Sequence, residues 1–586
     1  MLIIRSHKPQ YAYLDFKQAT VQEQRLCLNV SVFYNKKNLF VVPIRHVDEL
    51  VKICKRQNIQ FYIEKQVVEE YRQWRLSEQP ILELKKQKDL ILPPEVESCF
   101  KGTLYPWQKV GVVWLLQRKK SILADFLGSG KTVQILTVLQ YLKSIGQITN
   151  GLIICPASLK LQWQSEAHKF TDLKPIVIDE SNKEVRCPLY DGHSFEKKHK
   201  LCAGCYKKEE CLSIKQLKYA DRRAYYLTQY PDEIFIINYH ILRIDNLLFT
   251  SKEWGIIAAD ECAFIKSSNQ TTRCFNKLQC KYFIGASATV IENKPQDIFN
   301  VCKKVDIDIL GNKKDFERTH IVRGGLYNQV IEYRKIDLLK EKLKYVLIRR
   351  SVSEVKHLLP PITYENVLLE LFPKQKQIYN EIYTKAQEFA EQFGPQELLK
   401  TVVILREACD SAALVSSECD ESSKLAFLQD FVSNTEQQVL IFTEWVRMAK
   451  LIKAIIPNSQ IICGDNTTLQ RQTLIDQFRD KQFRILIATD CLKEGVNLQF
   501  CSCLINFELP WNPAKAKQRV GRVFRLGQVN PVFIYNLFTE GTIEQRVRNV
   551  LNSKINIFRN IIEALETIPT QTAGLKQFIF PHNDNS

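Results

Sequence analysis

The residue types from Asp125 to Thr132 are those of a loop that binds phosphate. The segment reads Asp125-Phe-Leu-Gly-Ser-Gly-Lys-Thr132 and follows the apolar run Ile122-Leu-Ala124. A stretch of helical pattern, Val133 to Leu142, comes next. This strand, loop and helix order is the context that a Walker A loop requires. The segment therefore predicts a site for a nucleoside triphosphate, and we expect ATP.

Each polar or flexible position of this loop has a predicted role. Gly128 and Gly130, with Ser129 between them, allow backbone N–H groups to surround phosphate oxygens, and the helix N-terminus adds its dipole. Lys131 is expected to contact the β- and γ-phosphates, and Thr132 to bind Mg²⁺. These residues are the first part of a predicted ATP site.

Two adjacent carboxylates form the second candidate group. Asp260 and Glu261 directly follow the apolar run Gly255-Ile-Ile-Ala-Ala259, which predicts a buried strand. Asp260 is predicted to bind Mg²⁺, usually through water, and Glu261 to orient and deprotonate the attacking water. Together with the phosphate loop upstream, this pair predicts hydrolysis of ATP.

Two arginines near the other end of the chain form the third group. They lie in Gln518-Arg-Val-Gly-Arg-Val-Phe-Arg-Leu-Gly-Gln528. Arg522 and Arg525 are three positions apart, so on a helix they are expected to share a face. They are predicted to stabilise charge on the transferring phosphoryl group.

Four cysteines form a candidate metal site. Cys187, Cys202, Cys205 and Cys211 follow the pattern C-x14-C-x2-C-x5-C. A two-residue spacer lets two thiolates bind one metal centre. The pattern fits Zn²⁺ or a 4Fe–4S cluster, and buried thiols without a metal are the third possibility. The segment 181–223 is basic, so we expect this insertion to contact nucleic acid.

The elements that must position these groups belong to the α/β class. Short apolar runs alternate with helical patterns in residues 99–310 and again in 421–566, which predicts two parallel-sheet lobes. Residues 311–420 are predicted to be a mainly helical interlobe region. Residues 1–98 are predicted to be a small α+β module, and 567–586 a flexible tail.

The composition of the chain indicates which kinds of binding partner to expect. The chain has 586 residues, a formal net charge of +18 and 45% hydrophobic residues. A positive excess favours a polyanion such as nucleic acid. Because no apolar run reaches about 18 residues, no membrane span is expected. The start of the sequence does not resemble a secretory signal, so we expect an intracellular protein, in the bacterial cytoplasm or nucleoid, or in a eukaryotic nucleus.

These motifs, in this order, resemble the Swi/Snf branch of helicase superfamily two over about residues 100 to 550. In the first lobe, Tyr105-Pro-Trp-Gln108 resembles the segment that reads adenine, with Gln108 facing the base. Asp125 replaces the first glycine of the general Walker A motif, and this replacement is common in the Swi/Snf branch. Cys155-Pro-Ala-Ser-Leu-Lys-Leu-Gln-Trp163 is similar to a motif that contacts nucleic acid, through Pro156 and Ser158.

Further motifs extend the resemblance. Asn238-Tyr239 stands where the family has a Thr-Tyr pair, and Ser287-Ala-Thr289 resembles the motif that couples hydrolysis to strand contacts. The interlobe and second-lobe motifs are Leu347-Ile-Arg-Arg350, Leu359-Pro-Pro361, Gly464-Asp465, Thr489-Asp490, Glu494-Gly-Val-Asn-Leu498 with Gly495, and Gln518. The second-lobe motifs are closer to compact bacterial members, such as the ATPase that recycles RNA polymerase, than to chromatin remodellers.

The resemblance implies two RecA-like lobes, nucleic-acid-stimulated ATP hydrolysis with Mg²⁺, and movement along double-stranded DNA. The sequence does not identify a protein partner. One departure is Ala263, where the family usually has a histidine that links ATP to nucleic-acid contacts. It predicts altered coupling with hydrolysis intact. The alternatives are a strand-separating or annealing DNA or RNA helicase, and a nucleotide-gated binding protein with negligible turnover.

Overall fold

The computed structural model describes residues 2–8, 11–16, 32–34, 39–87, 89–178, 219–265, 269–288, 297–324, 329–388, 395–492, 496–510 and 513–546. The chain divides into two compact units. The first holds residues 1–125, 131–291 and 295–350, and the second holds 126–130, 292–294 and 351–586. Among the described residues, no helix combines the length and the apolar character that crossing a membrane requires.

The N-terminal part of the first unit is a small α+β module. Its sheet has the order β3-β4-β2-β1-β5, in which only β1 and β5 are parallel. The strands are β1 Leu2–Lys8, β2 Tyr11–Asp15, β3 Val32–Tyr34, β4 Leu39–Pro43 and β5 Phe61–Ile63, and the helices are α1 Val47–Arg56, α2 Lys65–Leu84 and α3 Pro94–Glu97. Aliphatic side chains of β1, β2 and α1 form its core.

This module packs against the rest of the first unit. Glu49 forms a salt bridge of 3.7 Å with Lys342. The rings of Trp74 and Tyr345 lie 5.4 Å apart between centroids. Both contacts fall on the stretch that leads to the last strand of the first lobe.

The first lobe is a parallel sheet of seven strands in the order β14-β6-β11-β10-β7-β9-β8. Its strands are β6 Lys120–Leu123, β7 Gly151–Cys155, β8 Ile176–Val177, β9 Ile234–Asn238, β10 Glu253–Asp260, β11 Gln279–Ala286 and β14 Leu347–Ile348; β12 Ile321–Gly324 and β13 Gln329–Tyr333 form a separate antiparallel hairpin. Every residue of β7 and β9 is buried, which is typical of a parallel sheet covered on both faces.

Helices surround this sheet. They are α4 Pro106–Arg118, α5 Lys131–Ser144, α6 Lys160–Phe170, α7 Tyr219–Gln229, α8 Tyr239–Ile244, α9 Asn246–Thr250, α10 Gln270–Lys277, α11 Asp297–Val305, α12 Lys313–His320 and α13 Ile336–Leu343. Pro106 occupies the first turn of α4, where a missing N–H leaves no hydrogen bond unmade.

The second unit has its own parallel sheet of six strands in the order β15-β20-β19-β16-β18-β17. Its strands are β15 Ile362–Leu369, β16 Val439–Phe442, β17 Ser459–Ile462, β18 Ile485–Ala488, β19 Cys503–Asn506 and β20 Val532–Thr539. Its helices are α14 Pro373–Glu388, α15 Pro395–Asp410, α16 Ser423–Ser433, α17 Val446–Ile455, α18 Thr468–Arg479 and α19 Pro513–Val520.

The predicted fold class is confirmed: two parallel-sheet lobes and a small N-terminal α+β module. Residues 311–420, predicted to be mainly helical, also contain the strands β12 to β15. Of these, β14 completes the first sheet and β15 lies at one edge of the second. The longest segment of the second unit begins at Ser351, directly after Arg350.

Candidate active site

Three neighbouring strands of the first lobe end at one edge of the sheet. Asp260, the last residue of β10, is paired with Ala286 of β11, and Ala286 is paired with Leu123 of β6. The phosphate loop follows Leu123, and Ser287 follows Ala286. Ligands of open parallel sheets bind at the carboxyl ends of the strands. The register therefore brings the phosphate loop, the paired carboxylates and Ser287 to one edge.

The phosphate loop has the backbone that its glycines permit. Gly128 and Gly130 have φ angles of +80° and +75°, in the left-handed region where a side chain is unfavourable. Such a loop exposes successive N–H groups at the N-terminus of α5, where an anion is stabilised. The Nζ of Lys131 donates to the carbonyl oxygen of Asp125 at 3.1 Å, so the ammonium lies over the loop.

The carboxylate of Asp125, a predicted ATP-binding residue, has another partner within the first unit. It is fully buried and accepts from the Nε of Arg350 at 2.8 Å and from the backbone N–H of Arg350 at 3.1 Å. Gln134 of α5 donates to the same carboxylate at 3.2 Å. A buried ion pair with this many hydrogen bonds fixes the start of the loop relative to β14 and α5.

The two carboxylates lie at the last residue of β10 and in the turn that follows it. The Nε1 of Trp163 donates to Oδ2 of Asp260 at 2.9 Å, and the N–H of Glu261 donates to Oδ1 at 3.0 Å. The hydroxyl of Tyr239 donates to the carbonyl oxygen of Asp260 at 2.7 Å. Burial raises the pKa of the Tyr239 phenol well above its usual value, so the hydroxyl stays protonated and remains a donor.

Glu261 is held by a neighbouring motif. Its φ of +47° is uncommon for a residue with a side chain. The Oγ of Ser287 donates to its Oε2 at 2.8 Å. This hydrogen bond orients the carboxylate predicted to activate water.

Asp260 and Thr132 supply the kinds of atom that Mg²⁺ prefers. A carboxylate oxygen and a hydroxyl oxygen are hard ligands, and Mg²⁺ usually keeps several waters while it bridges a protein carboxylate and phosphate oxygens. Thr132 is the second residue of α5, next to Lys131. The donor set at this edge of the sheet fits the metal.

Gln108 lies in the first turn of α4 and is almost completely buried. Its Oε1 accepts from the backbone N–H of Tyr105 at 3.0 Å. The rings of Tyr105 and Trp107 stack, with centroids 4.7 Å apart. Pro156 and Ser158 precede α6, where Ala157–Leu159 form a short 3₁₀ helix.

In the second lobe, the expectation that Arg522 and Arg525 share one face of a helix is wrong, because α19 ends at Val520 and both arginines lie in the turns that follow it. Both are hydrogen-bonded to residues that precede them. The Nε of Arg522 donates to the carbonyl of Gln518 at 3.0 Å, and its Nη1 donates to the carbonyl of Val496 at 3.2 Å. Arg525 donates to the side chain of Asn497. Their side chains are therefore held by backbone and amide oxygens of the same lobe.

Thr489 is buried at the end of β18, where its N–H donates to the carbonyl of Ile462 at 3.0 Å. Its neighbour Asp490 accepts from Arg519 at 2.9 Å. The predicted site residues Thr289, Gly495, Cys187, Cys202, Cys205 and Cys211 lie outside the described residues. The described part of the chain contains no cluster of side chains that could bind a metal by histidine, cysteine and carboxylate ligands alone.

Trp163, Tyr239 and Arg350 contact the site but were not predicted as site residues. All three stand in the motifs that carry the family resemblance, which was the signal available. The partners of Trp163 and Arg350 were not predictable, because both are far away in sequence: Trp163 is 97 positions from Asp260, and Arg350 is 225 positions from Asp125.

Two family models match the chain. The SNF2-related domain matches residues 107–414, just over half of the chain, and the helicase conserved C-terminal domain matches residues 423–527. The matched ranges include the phosphate loop, the paired carboxylates, Arg350 and the two arginines of the second lobe.

Curated relatives of the chain include several bacterial proteins. YwqA of Bacillus subtilis, described as a candidate ATP-dependent helicase/translocase, is 26% identical over 80% of this chain and 50% of its own length. The uncharacterized ATP-dependent helicase YqhH of the same organism is 26% identical over 77% of this chain and 78% of its own length. MG018 of Mycoplasma genitalium, an uncharacterized ATP-dependent helicase, is 24% identical over 83% of this chain and 45% of its own length. This chain spans about half the length of YwqA and MG018.

Among solved structures, the chain is similar to a Sulfolobus solfataricus SWI2/SNF2 ATPase core in complex with double-stranded DNA. The match covers 79% of this chain and 94% of the Sulfolobus chain, with 22% sequence identity and a TM-score of 0.36.

Proposed function

The chain belongs to the family of the SNF2-related domain, and from this we propose that it is an ATP-driven translocase of double-stranded DNA. The observation that carries the proposal is the common edge of β6, β10 and β11. There a phosphate loop, two carboxylates and Ser287 lie at the carboxyl ends of strands that are paired in register. That arrangement suits ATP hydrolysis, and Ser287 belongs to the motif that resembles the one coupling hydrolysis to contacts with the nucleic-acid strand.

We propose the following roles in the first lobe. The N–H groups of the phosphate loop and Lys131 bind the triphosphate. Asp260 and Thr132 hold Mg²⁺, which neutralises charge on the phosphate oxygens when bound. Glu261, oriented by Ser287, accepts the proton of the attacking water.

Arg522 and Arg525 are proposed to stabilise negative charge on the transferring phosphoryl group. Guanidinium groups that do so typically raise turnover by about 10³ or more. Their hydrogen bonds to Val496 and Asn497 limit the conformations that the two side chains can take before nucleotide binds.

A nucleic-acid substrate is supported by two observations. The chain carries a net charge of +18, which favours a polyanion. YwqA, whose match covers 80% of this chain, is described as a candidate helicase/translocase. We propose duplex DNA as the partner because the Swi/Snf branch, which the motifs resemble, moves on duplexes.

The test compares ATP turnover with double-stranded DNA, single-stranded DNA and RNA. We expect the strongest stimulation with duplex, and displacement of a third strand without opening of the duplex. Strand opening would instead identify a helicase, and stimulation by RNA alone an RNA motor. Absence of stimulated turnover would identify a nucleotide-gated binding protein, the alternative that Ala263 motivates.

A Lys131→Ala protein is the matched negative control. It removes the ammonium from the phosphate loop and is expected to abolish turnover while leaving the fold intact. Full turnover in this variant would contradict the assignment of the site.

We propose that the cysteines of the pattern C-x14-C-x2-C-x5-C bind Zn²⁺ or a 4Fe–4S cluster. This proposal rests on the sequence alone. A Cys205→Ser protein is expected to lose metal, measured by elemental analysis, and to show weaker stimulation by nucleic acid. Visible absorbance of the unaltered protein distinguishes the cluster from zinc, and unchanged metal content in the variant would contradict the site.

A further inference from the structure

The indole of Trp163 makes its hydrogen bond to the carboxylate that is proposed to hold Mg²⁺. An indole has one N–H donor and no acceptor. In Trp163 this donor contacts Oδ2 of Asp260 at 2.9 Å. Both groups are buried, with 2% and 9% of their surfaces exposed, so water does not readily substitute for the contact. A hydrogen bond to a charged acceptor in such a place is stronger than one between neutral groups.

Two donors on two different oxygens fix the orientation of the Asp260 carboxylate. The N–H of Glu261 contacts Oδ1, and Trp163 contacts Oδ2. The last torsion of an aspartate side chain has a broad energy minimum, so each donor that contacts the carboxylate narrows the range of its rotation. Tyr239 meanwhile holds the backbone carbonyl of the same residue. Trp163 therefore supplies one of the constraints that orient the carboxylate of Asp260.

The other fully buried tryptophan with a hydrogen bond in this lobe does something different. Trp254, at the opposite end of β10 from Asp260, donates to the backbone carbonyl of Phe249 at 3.0 Å. Its indole satisfies a structural carbonyl and contacts no carboxylate through its N–H. The two tryptophans thus share burial and donor chemistry but differ in acceptor, which makes Trp254 a matched control.

Trp163 lies on α6, which begins directly after the 3₁₀ helix that follows β7. Helix α6 is therefore linked by a side chain to the end of β10. A small displacement of α6 changes the distance between the indole N–H and Oδ2, and so changes how well the carboxylate is oriented.

We propose that Trp163 is a positioning residue that orients Asp260 for Mg²⁺, so that the affinity of the ATP site for the metal depends on the position of α6. This inference rests on the proposed function, because it takes Asp260 to be the Mg²⁺ ligand. It adds a residue on a different element to the control of the metal.

The experiment measures metal affinity without turnover or DNA. The full chain is titrated with a fluorescent, non-hydrolysable ATP analogue at zero and at saturating Mg²⁺, and the ratio of the two dissociation constants reports the coupling between metal and nucleotide. In Trp163→Phe we expect this ratio to fall by roughly tenfold, the loss typical of one hydrogen bond to a charged group. The affinity without Mg²⁺ should not change.

Two further variants separate positioning from damage to the fold. Trp254→Phe is expected to lower the melting temperature while leaving the ratio at the wild-type value. Trp163→His keeps a ring N–H and should recover part of the ratio. In Trp163→Phe, ATP turnover is expected to return toward the wild-type rate as Mg²⁺ is raised, because a weakened metal site can still be filled.

A wild-type ratio in Trp163→Phe would overturn the proposal. So would a loss of nucleotide affinity without Mg²⁺, or turnover that no Mg²⁺ concentration restores, since both indicate general damage. Failure of the proposed translocase function gives a different result: wild-type protein without stimulation by duplex DNA, whatever the ratio in the variants.

Discussion

At the scale of single residues, the hydrogen bond between Ser287 and Glu261 is the contact with the clearest consequence. Glu261 has a left-handed backbone conformation, which costs about 1–3 kcal/mol for a residue with a side chain. Its carboxylate accepts from the Oγ of Ser287 at 2.8 Å. An uncommon backbone conformation and a fixed side chain together set the orientation of the proposed base before any nucleotide arrives.

Replacing Ser287 by alanine is therefore expected to lower the ATP turnover rate and to leave nucleotide affinity unchanged. Loss of a hydrogen bond to a charged group typically costs about 1.5 kcal/mol or more, which corresponds to roughly tenfold in rate. Steady-state turnover and binding of a fluorescent nucleotide measure the two quantities.

The matched control is Ser121→Ala. Ser121 is as deeply buried as Ser287, and within the described structure its Oγ has no hydrogen-bond partner. The Ser121→Ala protein should therefore turn over ATP at the wild-type rate. Equal losses in both variants would indicate that the effect of Ser287 comes from packing and not from its contact with Glu261.

At the scale of elements, the ion pair between Asp125 and Arg350 ties the start of the phosphate loop to the end of β14. Both side chains are buried, and Gln134 of α5 donates to the same carboxylate. Asp125→Asn keeps the shape but leaves the guanidinium buried without its counter-charge. We expect the first lobe to lose about 3 kcal/mol in its free energy of unfolding, measured by urea denaturation.

The control for this variant is Asp172→Asn. Asp172 forms a salt bridge of 2.6 Å with Lys101, but both groups are more than half exposed. Exposed pairs contribute about 0–1 kcal/mol. A destabilisation in Asp125→Asn no larger than that of Asp172→Asn would contradict a structural role for the buried pair.

The elements themselves were predictable, whereas the contacts between them were not. The apolar runs of β7, β9, β10 and β18 predicted buried parallel strands, because their residues are buried on both faces of a sheet. The loop and carboxylate residues were predictable because their spacing is local. The partners of Trp163 and Arg350 depend on strand order and register, which no local pattern encodes. Likewise β14 and β15 were not distinguished within a region predicted as helical.

A second inter-element cluster, in the second lobe, is expected to respond to pH. Lys424 of α16 contacts Asp410 of α15 at 2.9 Å and Glu544, which follows β20, at 2.6 Å, all nearly without exposure to solvent. Glu508 is also fully buried nearby, and its Oε2 has no hydrogen-bond partner in the described structure. Burial raises the pKa of Glu508 to about 8 and that of Asp410 to about 6.

The sign of the effect follows from proton binding. A carboxyl group whose pKa is raised by folding holds its proton in the folded chain at a pH where the unfolded chain has lost it. Stability therefore falls as pH rises from about 5 to 8. Glu508→Gln removes the group that titrates and should gain stability relative to wild type at pH 8, by about 1 kcal/mol or more, with little difference at pH 5.

Thermal unfolding of the two proteins at both pH values measures this difference. Glu436→Gln, a change at an exposed position of the same lobe, should follow the wild type at each pH. A Glu508→Gln protein whose stability falls with pH as steeply as the wild type would show that Glu508 is not the titrating group.

At the scale of the whole molecule, net charge is the property most directly tied to the proposed substrate. A protein with 82 lysine and arginine residues against 64 aspartate and glutamate residues attracts polyanions of any sequence. Such binding contributes affinity and no sequence specificity. A translocase needs this kind of contact, because it must bind every position along the duplex equally well.

The proposal therefore predicts a steep dependence of DNA affinity on salt. Each phosphate contact releases counterions, with a slope in a plot of log K against log salt of about −0.9 for duplex and about −0.7 for a single strand. With about six contacts, duplex affinity should fall by roughly 10³ between about 50 and 200 mM salt, measured by fluorescence anisotropy in the absence of nucleotide. Binding of a fluorescent ATP analogue in the same buffers serves as the control and should change far less. A translocase of double-stranded DNA must contact phosphates of the duplex. The plot for duplex DNA is therefore expected to be steeper than the plot for a single strand of equal length. An equal or shallower slope for the duplex would contradict the proposed substrate.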